Sequence, residues 1–431
     1  MSLFAAMISA STILLPSLFS PPPGEAHGRT VAQESSGPSD SLPQDQPAEN
    51  PWITDLDVFA RELPRRHVDP FGKISAEEFA AATDDLKARV PDLKDHEILV
   101  SLMKIVASIG DSHTMLSADN TDILSRLPLE LEWFDDGLYA TRAGPGYGRV
   151  VGKRVLAIGD KTVEEATDLA KTVVPHENEA QLRRRAPGYL IVPEILTSLA
   201  IADGVESVTW RFDSVGDVEI VAGRARPDSN WTSVLDGMEC EEPLYLRNTD
   251  KYYWFTYVSD ASVIYAQYNA CVEMPGVPFE DFTSDLIDAI DSERPDKLVF
   301  DIRRNGGGNS AIAEPLIDSI GRHPYINSKG RLFVVIGART YSSAILNAIA
   351  FGNRTEAVFV GEPTGGKPNH HGEVRLLVLP KSWIVISYST KYFDHSSEDT
   401  DSLYPDVDAG LSFSDFTECR DPALEAILDY E

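Results

Sequence analysis

The feature that most restricts the fold is an alternation of short apolar strands with helical segments after Ser262. The segment from Phe279 to Ile290 predicts one of the helices, and the small-residue stretch after Ser343 predicts another. Alternation of this kind is typical of a layered α/β core in which helices pack against a sheet. The predicted strands are VIYAQYN (263–269), KLVFDIR (297–303), LFVVI (332–336) and AVFVG (357–361).

The region before this core divides into a helical part and a β-rich part. Residues 51–117 are predicted to be helical, with a capping-box pattern at Ser75–Glu78 and a helix that ends at Gly110. Residues 118–225 contain short alternating strands, and the segment 152–166 looks like the strand and helix of a PDZ domain. The remaining part, residues 226–431, forms the predicted core.

The N-terminus has the pattern of an exported protein. Residues 1–20 contain an apolar run of signal-peptide length, although no Lys or Arg precedes it. Residues 21–50 are rich in Pro, Ser, Gly and Gln, which predicts a disordered linker. We therefore expect an extracellular or periplasmic protein. The three cysteines, Cys240, Cys271 and Cys419, lack metal-ligand spacing and leave open whether one disulfide forms.

The net charge limits the possible partners. The 431-residue chain carries a formal charge of -30, which argues against nucleic acid or an anionic membrane as a partner because both attract basic surfaces. The apolar N-terminal run is interrupted by Ser, Thr and Pro, so no stable membrane span is expected. Nothing in the sequence calls for a metal or an organic cofactor.

Two polar motifs follow directly after predicted strands of the core. Ser342 stands where LFVVI gives way to a helix, and the N–H of Ser343 would lie in the unsatisfied first turn of that helix. A serine at this place is also a common helix cap. Gly306 and Gly307 belong to a glycine loop after KLVFDIR, and glycines there can bring backbone N–H groups close to a developing oxyanion.

These motifs together resemble those of the tail-specific, or C-terminal-processing, serine peptidases and their tricorn-core-like relatives. The resemblance extends from about Trp52 to the end of the chain. It implies a ClpP/crotonase-like ββα core with a PDZ-like domain, a nucleophile at Ser342, and an oxyanion hole built from Ser343 and either Gly306 or Gly307. The motifs occur in the order DIRRNGGG (301–308), TYSSA (340–344), GEPTGGK (361–367) and Pro405-Asp406.

The resemblance leaves two residues as the general base. The tricorn type uses a histidine before the PDZ-like unit, and His113 stands in the matching place within DSHT. The tail-specific type uses a lysine, which corresponds to Lys367, but the glutamine that supports it there is replaced by His371. We favour His113 because histidine needs no special tuning near neutral pH. The candidates for an orienting carboxylate are Glu398, Asp399 and Asp401.

The leading hypothesis is a secreted serine endopeptidase that acts on peptides or proteins. A second hypothesis is a non-catalytic protein that binds a ligand or peptide on the same fold. An acyl-transfer enzyme that acts on acyl-CoA is a third, and the chain's negative charge and its lack of a basic nucleotide site argue against it. The sequence indicates no oligomeric state.

Overall fold

The computed structural model describes residues 50–223 and 227–431. Helices α1 (Pro51–Arg66), α2 (Ala76–Arg89) and α3 (Asp95–Ser108) come first, as predicted. The capping box at the start of α2 is confirmed, since Ser75 and Glu78 each accept a hydrogen bond from the other's N–H. Gly110 ends the third helix with a φ of 75°. Apart from Asn50, the predicted signal and linker segments lie outside the described residues.

The next unit contains two small antiparallel sheets. Their strand orders are β2-β3-β8 and β5-β4-β6-β7, and the predicted strand–helix pair is present as β4, β5 and α4. Helices α5 and α6 were not predicted. The PDZ-like assignment itself stays a prediction. The elements are β1 (Met115–Ser117), β2 (Leu129–Phe134), β3 (Gly137–Ala143), β4 (Val155–Ile158), β5 (Lys161–Thr162), α4 (Val163–Ala170), α5 (Glu179–Leu190), α6 (Pro193–Ser198), β6 (Ser207–Phe212), β7 (Gly216–Val221) and β8 (Thr232–Ser233).

The core is a six-stranded sheet of order β16-β13-β12-β11-β10-β9, in which only β9 runs antiparallel to its neighbour. All four predicted core strands are present in it. The elements are β9 (Tyr253–Val258), β10 (Val263–Tyr268), α7 (Phe279–Glu293), β11 (Lys297–Asp301), α8 (Glu314–Arg322), β12 (Leu332–Ile336), α9 (Ser343–Arg354), β13 (Val358–Gly361), β14 (His370–Val378), β15 (Val385–Phe393), β16 (Val407–Asp408), α10 (Phe413–Thr417) and α11 (Pro422–Leu428).

The four central strands of this sheet, β10 to β13, are buried on both faces, which explains why they are largely apolar. Successive side chains of a strand point to opposite faces. Leu298 and Phe300 of β11 accordingly pack with helices α7, α8 and α9, whereas Val299 packs in the cluster that includes residues of α11. The mixed α/β class is therefore confirmed, while its ClpP/crotonase-like description stays a prediction.

A smaller sheet of order β1-β15-β14 joins the N-terminal region to the core. Met115 of β1 pairs with Ser387 of β15, and β15 pairs in turn with β14. This pairing brings the segment just before β1, which contains His113, beside the turn that precedes β14, which contains Lys367. The two alternative bases therefore lie in the same part of the molecule.

The structure shows which of the three cysteines form a disulfide, a point that the sequence left open. Cys240 and Cys419 form a disulfide that links the start of the core to its C-terminal helices. Cys271 is buried and has a free thiol. Within residues 50–223 and 227–431, no helix combines the length and apolarity needed to cross a membrane.

Candidate active site

The site forms where two neighbouring parallel strands end at the same edge of the core sheet. β11 ends at Asp301 and leads into the glycine loop, and β12 ends at Ile336 and leads into the turn before α9. Loops after the carboxyl ends of adjacent parallel strands necessarily meet, and this is where such sheets place their ligand sites. The sheet therefore brings the glycine loop and Ser342 together, as the sequence predicted.

Ser342 has an unusual backbone conformation at the start of α9. Its φ is 55° and its ψ is −127°, a region that non-glycine residues rarely adopt. Although Ser342 occupies the N-cap position, its hydroxyl makes no capping hydrogen bond. A strained serine between a strand and a helix is the arrangement by which other folds expose a nucleophilic hydroxyl. Ser342 is therefore more than a helix cap.

Hydrogen bonds to the glycine loop hold the residues on either side of Ser342. The N–H of Tyr341 donates to the carbonyl of Asn305 at 3.0 Å. The hydroxyl of Ser343 donates to the carbonyl of Gly308 at 2.7 Å, and this side chain is buried. The hydroxyl of Ser343 is thus hydrogen-bonded to the glycine loop, whereas among the described residues the hydroxyl of Ser342 makes no hydrogen bond.

Gly307 lies against Ser342, and its own N–H is already used. A Cβ added to Gly307, whose φ is 102°, would lie 2.8 Å from the Cβ of Ser342 and 3.0 Å from the nitrogen of Ser343. The N–H of Gly307 donates to Oδ1 of Asn305 at 2.9 Å. Among the described residues, the N–H groups of Gly306 and Ser343 have no hydrogen-bond acceptor. Both groups are therefore free to donate, as are the N–H groups of Ser342 and Gly308 among the described residues.

His113 is buried in a ring of polar and aromatic side chains. Its Nδ1 lies 2.7 Å from the hydroxyl of Tyr341, and the two rings stack with centroids 4.5 Å apart. Its Nε2 is buried and makes no hydrogen bond within the described part of the chain, so it does not contact Ser342 directly. Burial lowers the pKa of His113 to about 3, and the nearby carboxylate of Asp111 opposes that shift only in part. The imidazole is therefore neutral at physiological pH.

The side chain of Lys367 contacts one of the three predicted carboxylates and makes no hydrogen bond to His113 among the described residues. The ammonium of Lys367 forms an ion pair with Asp399 at 2.9 Å. Asp401 accepts a hydrogen bond from the hydroxyl of Tyr404, and Glu398 is exposed. Over residues 50–223 and 227–431, no hydrogen bond or ion pair joins any of these acidic side chains to His113.

Besides Asp111, a second carboxylate near His113 is that of Glu177, in the loop between α4 and α5. The N–H groups of Ser112 and Lys367 donate to its oxygens, each at 3.4 Å. The hydroxyl of Ser112 is also 2.7 Å from that of Tyr341. A chain of hydrogen bonds therefore runs from Glu177 through Ser112 and Tyr341 to His113.

Sequence reasoning missed this chain because its members come from three distant segments. Tyr341 and Ser112 do stand next to the predicted Ser342 and His113, and that adjacency was the available signal. Glu177 carries no such signal. Arg185 of α5 was missed as well, although its guanidinium donates to the carbonyl of Ser112 at 2.8 Å and lies over the Tyr341 ring.

The side chains of Asp111, His113 and Glu177 could hold a metal ion by distance alone, since one ligand atom of each lies within 4.8 Å of the others. The oxygens of Asp111 are already hydrogen-bonded. They accept from the N–H of His113, from the hydroxyl of Thr114, and from Nε2 of His67 at 2.9 Å. A metal would have to displace several of these bonds, so we assign none here.

No family model matches the chain, and no curated protein matches it. Solved structures do. Mature CPAF complexed with lactacystin is 13% identical over 87% of this chain and 96% of that chain, with a TM-score of 0.58. The photosystem II D1 C-terminal processing protease is 13% identical over 87% and 96%, with a TM-score of 0.39. The tricorn protease is 14% identical over 88% and 36%, with a TM-score of 0.44.

The similarity to CPAF shows that the two chains share a fold. At 13% identity this likeness concerns the fold alone.

The contact between Gly307 and Ser342 gives a first testable prediction. Gly307→Ala should abolish labelling of the chain by a fluorophosphonate, because the new methyl group would displace the turn that holds Ser342. Gly306→Ala is the matched control, since a Cβ there meets no atom within 4 Å and the N–H group remains. Equal labelling of both variants, at equal thermal stability, would contradict this packing.

Proposed function

We propose that the chain is a serine endopeptidase that hydrolyses peptide bonds through an acyl-enzyme on Ser342. The observation that carries the proposal is the strained turn that presents an uncommitted Ser342 hydroxyl beside two uncommitted backbone N–H groups. A nucleophile next to fixed hydrogen-bond donors is what acyl transfer requires. We expect no metal or organic cofactor.

The oxyanion hole is assigned to the N–H groups of Ser343 and Gly306. Both are backbone donors in a fixed geometry, so they can stabilise the negative charge of a tetrahedral intermediate without reorganising. The sequence left Gly306 and Gly307 as alternatives. The N–H of Gly307 already donates to Asn305, which favours the N–H of Gly306 as the second donor of the oxyanion hole. Gly307 then has a different role, since its lack of a side chain lets the glycine loop approach Ser342 closely.

His113 is favoured as the general base over Lys367. Burial keeps the His113 imidazole neutral, so a lone pair is available to accept the Ser342 proton. The side-chain nitrogen of Lys367 pairs with Asp399 at 2.9 Å, and among the described residues it makes no hydrogen bond to Ser342. Nε2 of His113 has no hydrogen-bond partner among the described residues, so it must come within hydrogen-bond reach of the Ser342 hydroxyl when substrate binds.

Glu177 is assigned the role of the orienting carboxylate, in place of Glu398, Asp399 or Asp401. Glu177 accepts the backbone N–H of Ser112, and the hydroxyl of Ser112 shares a hydrogen bond with that of Tyr341, which lies 2.7 Å from Nδ1 of His113. The proposed tautomer has Nδ1–H donating to Tyr341, which leaves the lone pair of the imidazole on Nε2, as a base needs.

A location outside the cytosol remains part of the proposal. Disulfides persist in oxidising compartments and are rare in the cytosol, so the Cys240–Cys419 bond supports export. The β-rich unit is proposed to have a PDZ-like role in presenting the substrate. The alternative of a non-catalytic binding protein does not explain why the strained conformation of Ser342 is retained.

The nucleophile can be identified by labelling. A fluorophosphonate should modify the peptide that contains Ser342, and Ser342→Ala should lose both labelling and peptide hydrolysis. Ser343→Ala should retain labelling, because its hydroxyl only donates to Gly308. Mass-spectrometric mapping of the labelled peptide measures this. Labelling that survives in Ser342→Ala but not in Ser343→Ala would mean that the wrong serine was chosen.

The base can be identified from two alanine variants and a pH profile. His113→Ala should lower kcat/KM by on the order of 10²-fold or more, as loss of a general base does. Lys367→Ala should cost clearly less. The sequence alone suggests a fall in activity below an apparent pKa of about 6.5. The buried site predicts instead that deprotonated His113 persists well below that pH, since it gains a proton only near its pKa of about 3. An inactive Lys367→Ala with a near-normal His113→Ala would reverse the assignment.

The relay from Glu177 is tested by Glu177→Gln. The Gln side chain removes the negative charge that accepts the Ser112 N–H and so loosens the segment that holds His113; kcat should fall on the order of 10-fold or more while KM changes little. Burial raises the pKa of Glu177. The activity of the wild type should therefore fall with decreasing pH as Glu177 is protonated. This fall should be absent from the pH profile of the variant. The exposed neighbour substitution Glu179→Gln is the control. A pH profile unchanged by Glu177→Gln would argue against the relay.

A further inference from the structure

A cleft of about 620 Å³ runs along α9, the helix that begins directly after Ser342. Its volume is in the range of sites that bind small ligands or a few residues of peptide, about 300–1,000 Å³. Its walls come from α9, from β13, and from the acidic loop, by which we mean residues 394–401. Ala348, Ile349, Phe359 and Leu403 provide an apolar floor.

The cleft lies farther along the helix that begins directly after Ser342. Ala348 is five residues beyond Ser343, so it lies roughly 8 Å along the helix axis. An extended peptide advances about 3.3 Å per residue, and a chain bound at Ser342 would therefore reach the cleft with a residue two or three positions from the scissile bond. Pro368, which follows Lys367 directly, lines the same cleft.

A series of rings also connects His113 to the cleft. His113 and His370 stack with centroids 5.7 Å apart, His370 and Phe393 lie 5.5 Å apart, and Phe393 and His395 lie 6.0 Å apart. His395 is itself a lining residue. Asn369 fixes this end of the loop, because its side-chain oxygen accepts the N–H groups of His395 and Ser396, each at 2.9 Å.

The electrostatics of the cleft favour a cation. Glu398 lines it, no Lys or Arg is among its lining residues, and Asp394 and Asp401 belong to the same loop. Asp399 is paired with Lys367, but within the described residues Glu398 has no ion-pair partner. An apolar floor with a carboxylate at its rim suits a Lys or Arg side chain, whose methylene stem packs on apolar surface while its charged end stays near water.

We propose that this cleft is a substrate subsite for a Lys or Arg side chain two or three residues from the scissile bond, with Glu398 as the group that recognises its charge. The proposal rests on the proposed peptidase function. It gives Glu398 a role in specificity and not in orienting the base.

The test uses fluorogenic peptides of one sequence that carry Lys, Gln or Glu at the second or third position on either side of the cleaved bond. At one of these positions the wild type should prefer Lys over Gln by about five-fold in kcat/KM, the effect of one partly exposed ion pair. Glu398→Gln should remove this preference, and Glu398→Lys should turn it into a preference for Glu. Cleavage of the Gln peptide and fluorophosphonate labelling should stay unchanged in both variants.

Asp285→Lys on α7 is the matched control, because it changes the net charge equally at an exposed site away from the cleft. The inference is overturned if the wild type shows no preference for Lys, if Asp285→Lys changes the preference as much as Glu398→Lys does, or if Glu398→Gln impairs cleavage of the Gln peptide.

A binding experiment keeps the subsite proposal separable from the peptidase proposal. It measures binding of the same peptides to Ser342→Ala by fluorescence anisotropy. A Lys preference in binding would support the subsite even if no peptide were cleaved.

Discussion

The close packing of Gly307 against Ser342 is the contact on which the rest of the site depends. The backbone of Ser342 adopts a conformation that costs on the order of 1–3 kcal/mol, and hydrogen bonds from Tyr341 and Ser343 to the glycine loop hold it there. These bonds require the two loops to approach so closely that a side chain at position 307 would collide with Ser342. The same approach leaves the amide of Ser343 free beside the hydroxyl of Ser342, so one packing contact positions both the proposed nucleophile and its neighbouring donor.

The surroundings of His113 show that the inserted unit and the core form one site. The imidazole packs against Tyr341 from the core, while Glu177 at the far end of the relay and Arg185 above the tyrosine ring come from the inserted β-rich unit. A fixed hydrogen-bond direction needs every member of the relay in place. The insertion is thus more than a platform for substrate, since its position relative to the core determines how the imidazole is held.

The sequence predicted the parts of the fold that local patterns encode. The strands of the core, the capping box at Ser75 and the glycine that ends α3 follow from apolar runs and capping chemistry, and they are where the sequence placed them. The motif order also predicted that Ser342 and the glycine loop meet. The carboxylate near His113 could not be predicted, because Glu177 reaches it only through tertiary packing of a loop with no motif of its own. The pKa of His113 was likewise beyond the sequence, since it depends on burial.

The two basic residues that the sequence could not separate are distinguished by their environments. Burial without an ion-pair partner within hydrogen-bond reach favours the neutral form of a cationic group, whereas pairing with a carboxylate favours the charged form. His113 has the first environment, since Asp111 lies 3.9 Å from its Nδ1 and is saturated by other donors. Lys367 pairs with Asp399, and its backbone N–H points to Glu177. The lysine therefore connects Glu177 to the acidic loop of the cleft, and the histidine is the proposed base.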